Sequence, residues 1–182
     1  MNKDASASLG VLFEPFSLNK LELRNRIAMA PMTRQSSPDR IPGKDVAAYY
    51  RARAEGGAGL IITEGTTLAD PASSSASNVP RMHGESSLAG WKSVVDGVHA
   101  SGGHIFSQLW HVGMVREADD TPESDLPNRS PSGLSLAGEK TSRPMTQEEI
   151  ADILSDYAQA AAAAITLGFD GIELHGAHGY LA

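Results

Sequence analysis

Apolar positions fall into two spacings along this chain of 182 residues. Four short runs are nearly continuous and bounded by Gly or Pro: RIAMA (26–30), GLIIT (59–63), HIFSQL (104–109) and GIEL (171–174). A strand buried on both faces reads this way, as in a parallel sheet. Three longer runs have helical spacing. KDVAAYYRARAEGG carries Val46, Tyr49, Tyr50 and Arg53 at that spacing and ends at Gly56 and Gly57. SSLAGWKSVVDGVHASGG sets Leu88, Trp91, Val95 and Val98 on one face and ends at Gly102 and Gly103. TQEEIADILSDYAQAAAAAITLG opens on Thr146 with Glu149 three residues later, a capping box. Its predicted buried stripe is Ile150, Ile153, Leu154, Tyr157, Ala161 and Ile165, and Gly168 suits the left-handed position past its end. The resulting order, β-α-β-α-β-α-β, predicts a parallel sheet with right-handed crossovers. Residues 66–85 and 112–145 are rich in Ser, Ala, Pro and Gly, and loops of that length usually serve as lids or binding loops.

Composition narrows the function classes. The chain is 41% apolar with 18 Gly and 10 Pro, enough for one domain with a sizeable core. A net charge of −7 argues against a nucleic-acid backbone or an anionic membrane as partner. No stretch approaches the ~18–20 apolar residues of a membrane span, and MNKDASASLG has no apolar leader core. A soluble, cytoplasmic protein is expected. The absence of Cys excludes disulfides, thiolate metal sites and a thiol nucleophile, and fits a reducing compartment.

Each predicted strand runs into a polar cluster at its carboxyl end: PMTR (31–34), TEGTT (63–67), QLWH (108–111) and HGAHGY (175–180). Barrels and open α/β sheets both place their sites there. No G-x-G-x-x-G follows the first strand and no P-loop is present, so a dinucleotide-binding sheet or nucleotide hydrolase lacks its fingerprint. A (β/α)₈ barrel is the better reading.

The segments LFEPFSLNKLELRNRIAMAPMT, GAGLIITEGT, GWKSVVDGVHASGGHIFSQLWHVG and AAAAITLGFDGIELHGAHGYL resemble the Old Yellow Enzyme family of FMN-dependent oxidoreductases, in order and over nearly the whole chain. The resemblance implies an FMN-binding barrel in which NADH or NADPH reduces the flavin, and the flavin then passes hydride to an activated C=C bond. It matches His175 and His178 to the H-x-x-H or H-x-x-N pair that binds the substrate carbonyl oxygen. Chemically, two neutral imidazole N–H donors would stabilise the enolate that hydride addition creates. The plainer alternative is two histidines bonding loop carbonyls. Histidines three apart can also hold zinc on a helix, but further ligands such as His111 or Glu173 would be needed, and no metal is expected. Tyr180 matches the family's proton donor, and a phenol is a reasonable acid beside a strongly basic carbanion. A Tyr packed at the barrel rim is the alternative.

By the same resemblance, backbone groups of Pro31 and Met32 line the flavin, and the Thr33 hydroxyl bonds a ring carbonyl near the reactive nitrogen. Thr33 could equally cap its own loop. The Gln108 amide can both donate to and accept from the flavin's pyrimidine edge. Gly65 would let backbone approach the ring, and Trp110 would wall the substrate pocket, although packing explains such residues as well. Departures occur too. Met114, Val115, Arg116 and Glu117 follow Gly113 where the family often has a basic residue and Ser-His, and Ser73 to Ser75 stand where many members bring in an aromatic. The substrate preference therefore does not transfer.

Four strands and three helices make half of a barrel that typically takes about 250 residues. Residues 1–182 read as the amino-terminal half of one FMN-binding barrel domain. Three expectations follow: a half completed by a separate complementary chain, a truncated sequence, or a self-associating half-barrel serving as a structural or flavin-binding module.

Overall fold

The computed structural model describes residues 9–74, 76–116 and 125–182. Three positions or stretches considered above, residues 1–8, Ser75 and Glu117, lie outside them. A hairpin that the apolar pattern did not announce precedes the parallel sheet. Strand β1 (Phe16–Leu18) pairs antiparallel with β2 (Leu21–Leu23), and Asn19 makes the turn at φ 55°. Strands of three residues leave too short an alternation to stand out.

The four expected strands follow as one parallel sheet: β3 (Ala28–Met29), β4 (Leu60–Thr67), β5 (His104–Trp110) and β6 (Gly171–Leu174), in the order β3-β4-β5-β6. Strand β3 is shorter than its apolar run because the Arg26 N–H bonds Leu12 while the Ile27 carbonyl takes the N–H groups of Gly59 and Leu60. Helices α1 (Lys44–Glu55), α2 (Glu85–Ala100) and α3 (Gln147–Leu167) connect the strands.

The core lies between sheet and helices. Ile61, Ile105 and Leu109 meet Val46 and Tyr50 of α1, Trp91, Val94, Val95 and Val98 of α2, and Ala160 and Ala164 of α3. The Trp91 ring sits 5.8 Å edge-on from Phe169 and 6.3 Å from Tyr50. Because side chains alternate along a strand, Phe106, Gln108 and Trp110 of β5 face away from the helices, as do Glu173 and His175 of β6.

Helix α3 begins and ends as expected. Both capping-box bonds between Thr146 and Glu149 are present, and Gly168 takes a left-handed φ of 96°. Its buried stripe differs from the expected one. Ile153, Ala160 and Ala164 are buried, whereas Leu154 is 64% and Ile165 57% exposed. At 3.6 residues per turn, these two lie roughly 100–120° around the helix from the buried centre. The small Ala160 and Ala164 side chains form the contact line, and the larger apolar residues flank it.

At the amino ends of the strands, polar groups satisfy one another. Arg24 donates to the carbonyls of Ala54, Ala58 (2.8 Å) and Ser101 (3.3 Å), which belong to the ends of α1 and α2 and their following turns. Asn25 donates to Gly57 O and accepts from Ile27 N. Asp170 accepts from the backbone of Ile105 and meets both His99 (2.8 Å) and His104 (3.0 Å).

Candidate active site

The carboxyl end of the sheet gathers four of the expected residues into one group. The indole of Trp110, the last residue of β5, stacks 6.2 Å from His175, just beyond β6. Tyr180 packs edge-on against His175 (4.8 Å) and Trp110 (5.2 Å), and His178 lies 5.4 Å from His175. The local chain explains this convergence. The His175 N–H bonds Leu109 O, continuing the β5–β6 ladder by one residue. The chain then turns through Gly176 and Ala177, His178 and Gly179 take left-handed φ values of 60° and 71°, and the Leu181 N–H bonds His111 O. A left-handed His178 is a costly conformation for most side chains, but His and Asn tolerate it better than bulky residues. The two alternatives of the H-x-x-H/N pattern are therefore residue types suited to this turn.

Burial lowers the pKa of His175, the neighbouring His178 lowers it further, and Glu173 opposes both. The lowered value favours a neutral ring with one N–H to donate. His178 is exposed at the mouth.

Gly65, Gln108 and Glu173 form one row across β4, β5 and β6. Gln108 is 5% exposed, donates its backbone N–H to Thr63 Oγ1 (3.0 Å), and donates from Nε2 to Glu173 Oε1 at 2.7 Å. A Cβ at Gly65 would meet the Trp110 ring at 2.6 Å, so this glycine makes room for the indole. Trp110 is only 8% exposed, and its Nε1 has no hydrogen-bond partner among the described residues. Pro31, Met32 and Thr33 stand on the loop after β3, with Met32 and Thr33 exposed.

Pattern reading missed what anchors that loop. Glu64 of β4 is fully buried. Its carboxylate accepts from the Arg34 backbone (3.1 Å) and from the Arg34 guanidinium (3.1 and 3.3 Å). The guanidinium also lies over the Tyr49 ring at 3.8 Å, and the Glu64 N–H donates to the Tyr50 hydroxyl at 2.8 Å. Burial and the Glu64 carboxylate both push the Tyr50 phenol well above its usual value, so it stays a neutral partner. Thr33 is thus attached directly to a residue locked onto β4. Arg34 and Glu64 are 30 positions apart, and only sheet register brings them together.

A second network fastens the long loop after β5. Arg129 reaches Asp70 (3.3 Å) and Glu149 (3.1 Å), and Arg143 also binds Glu149. The Arg143 guanidinium and the Thr146 N–H pull the Glu149 carboxyl down to about 2. Burial acts against the Asp70 carboxylate, but His111, the Ala72 N–H and Arg129 together hold its pKa below the ordinary value. At 3.9 Å the His111 Nε2 is beyond hydrogen-bond length, so its influence on Asp70 is through space. Because His111 Nδ1 accepts from Gly113 N, its proton sits on Nε2, facing Asp70. Ser73, which stands where many members of the resembled family bring in an aromatic, is buried and donates to Leu68 O.

Among the described residues, no helix is long and apolar enough to cross a membrane. No group of three or more His, Cys, Asp or Glu is arranged to hold a metal ion there either.

Residues 11–182 match the model of the NADH:flavin oxidoreductase / NADH oxidase family. The chain is 38% identical to 12-oxophytodienoate reductase 1 of Oryza sativa subsp. japonica, over 98% of this chain and 48% of that protein. It is 41% identical to the chanoclavine-I aldehyde reductase of Penicillium roqueforti, over 93% of this chain and 47% of that protein. Among solved structures, morphinone reductase in complex with tetrahydroNAD superposes with a TM-score of 0.83 at 39% identity, covering 93% of this chain and 50% of that one. The Old Yellow Enzyme of Pichia sp. AKU4542 superposes at 0.84 with 35% identity, covering 94% and 47%. The chain thus spans about half the length of the relatives it matches, and its sheet and helices correspond to the amino-terminal half of their (β/α)₈ barrel. This chain belongs to the NADH:flavin oxidoreductase / NADH oxidase family, that of the Old Yellow Enzymes, whose cofactors are FMN and a nicotinamide dinucleotide.

Proposed function

We propose that residues 1–182 supply the amino-terminal half of a single FMN-binding barrel that reduces activated C=C bonds, such as those of enones and nitroalkenes, with NADH or NADPH. The observation that carries this reading is the convergence of His175, His178, Tyr180 and Trp110 at the carboxyl ends of β5 and β6. The bound flavin, reduced by the nicotinamide, is the source of hydride. The donor set fits such a ring. Its two carbonyls and imide N–H need partners of both kinds, which the Thr33 hydroxyl and the Gln108 amide offer. Pro31 and Met32 contribute backbone beside Thr33, while the space over Gly65 in the Gln108 row is taken by the Trp110 indole.

The chain's own residues then act on the substrate. As charge builds on the carbonyl oxygen, the imidazole N–H groups of His175 and His178 donate to it, and a preorganised donor stabilises that charge more than the ground state. Tyr180 delivers the proton to the other carbon of the double bond. Trp110 backs the His175 imidazole and the Tyr180 phenol and limits where the substrate lies.

The partner is the complementary half-barrel. The outer edge of β6 has no strand neighbour among the described residues, Leu174 of that strand is exposed, and so are Leu154 and Ile165 of α3. A covering half would pair that edge and bury those side chains. It would also bring the arginines that the family places on the flavin and its phosphate. Each charge-assisted contact is worth about 1.5–3 kcal/mol, or roughly 10–150-fold in affinity, so residues 1–182 alone are expected to bind FMN weakly.

The test is NAD(P)H oxidation by the complete barrel with and without an enone. Enone-dependent oxidation is expected. In stopped flow, the H175A/H178A variant should slow alkene reduction and spare flavin reduction, because only the former places charge on substrate oxygen. A complete barrel that binds FMN yet turns over no activated alkene would instead be a non-catalytic flavin-binding module.

A further inference from the structure

We propose that Glu173 is a positioning residue for the cofactor: it fixes the Gln108 amide so that the edge carrying Oε1 and one N–H faces a cyclic imide. The proposal rests on the reading above that Gln108 meets the flavin's pyrimidine edge. Glu173 carries no role in the substrate chemistry.

A primary amide has two nearly isosteric ends, and a buried glutamine with one polar neighbour can settle either way round. Here the choice is made by chemistry. Gln108 and Glu173 are Cα partners in the β5–β6 register, and Nε2 lies 2.7 Å from Oε1 of Glu173. A carboxylate only accepts, so the NH₂ end must face it and the carbonyl end must turn away. The Gln108 backbone is itself held by Thr63 Oγ1 at 3.0 Å, and the residue is 5% exposed, so the side chain starts from a fixed root. Glu173 uses one of the two N–H bonds. The remaining edge has one acceptor beside one donor. A cyclic imide presents the complement, an N–H beside a carbonyl. Glutamate at 173 therefore turns an ambivalent amide into a one-way reader of that edge.

The experiment uses the FMN-loaded complete barrel and two readouts besides turnover. One is FMN affinity from flavin fluorescence. The other is the N3–H bending band of bound FMN, identified by its deuterium shift in resonance Raman. Glu173→Gln keeps the volume but lets the 108 amide adopt either orientation. It is expected to weaken FMN binding by about 5- to 10-fold, the worth of a neutral hydrogen bond, and to move the band toward that of free flavin. Gln108→Ala should do both as well. The swap E173Q/Q108E should restore the band, because Gln at 173 donates to the new carboxylate and leaves its second oxygen to accept from the imide. That variant keeps the pair's charge and volume and carries the test if E173Q does not fold. A band that moves in Q108A but not in E173Q overturns the positioning role and leaves the Gln108 contact standing. A band that moves in neither overturns the contact itself. Weaker binding in E173Q with an unmoved band, or a swap that restores nothing, assigns Glu173 a structural role and overturns the proposal.

Discussion

The two ends of the parallel sheet use polar residues in opposite ways. At the amino end, Asp170 is surrounded by two histidines and a backbone N–H, Asn25 uses both ends of its amide, and Arg24 closes carbonyls of two helix ends. Donors and acceptors there meet one another, which is how a scaffold uses polarity. At the carboxyl end, Trp110 Nε1 is buried without a partner among the described residues, His178 and Thr33 are exposed, and His178 holds a left-handed backbone. Polar capacity is left open where a ligand would complete it. Barrel enzymes divide stability and chemistry between their two faces in this manner.

Glu64 breaks the simple form of this contrast, because it lies at the carboxyl end yet is fully buried and fully engaged. Glu64→Ala is expected to destabilise the fold by about 3–5 kcal/mol, the cost of leaving a mostly buried Arg34 without its counter-charge. A shift in the denaturation midpoint checks it, and a change under about 1 kcal/mol would show that the pair only decorates the loop.

The histidine pair should show the reverse. H175A/H178A is expected to lower alkene reduction by about 10²–10³-fold or more, the effect of losing an oxyanion donor. Its unfolding stability should fall by no more than about 1–2 kcal/mol, the cost of Ala at a left-handed φ and of a partly buried ring, well below the loss in alkene reduction. A large stability loss would mean the rings are core after all.

Asp170→Asn probes the amino end. It should cost about 2–3 kcal/mol, since hydrogen bonds to a charged group are replaced by weaker ones, with both half-reactions unchanged. The effect has a pH signature. Burial alone would raise the Asp170 pKa, but the Ile105 N–H, His99 and His104 outweigh it and the value is lowered in the fold. A lowered folded pKa gives stability that is complete above the unfolded value of about 4 and is lost as pH falls through the folded value. Parent and D170N should therefore converge in stability on acidification below about pH 4, as read from urea midpoints across that range. The smallest effect belongs to Gly168→Ala, about 1 kcal/mol. A Cβ there meets Val95 only at an ordinary 3.6 Å, so the cost comes from φ 96° alone and thermal melting suffices to measure it.

Much of the scaffold was legible in the sequence. The four strands and the capped third helix follow from local spacing, which needs no knowledge of neighbours. The ring cluster was legible by motif and position at the strand ends. Three features were not. The β1–β2 hairpin was too short for its alternation to register. The buried line of α3 runs through Ala160 and Ala164, and a pattern search weighted toward large apolar side chains favours Leu154 and Ile165 instead. The Arg34–Glu64 and Gln108–Glu173 pairs join residues 30 and 65 positions apart, so their existence depends on register, which a one-dimensional pattern does not contain.

The strand order β3-β4-β5-β6 also bears on how the site comes into being. Each strand pairs with the one before it in the chain, so the sheet can grow by successive additions as synthesis proceeds, without waiting for a distant segment. Vectorial growth puts β6 last in this part of the chain. The two imidazoles and the phenol beyond it are therefore assembled onto a surface already formed by β5 and Trp110, so the groups with open polar capacity are added to a finished floor rather than building it.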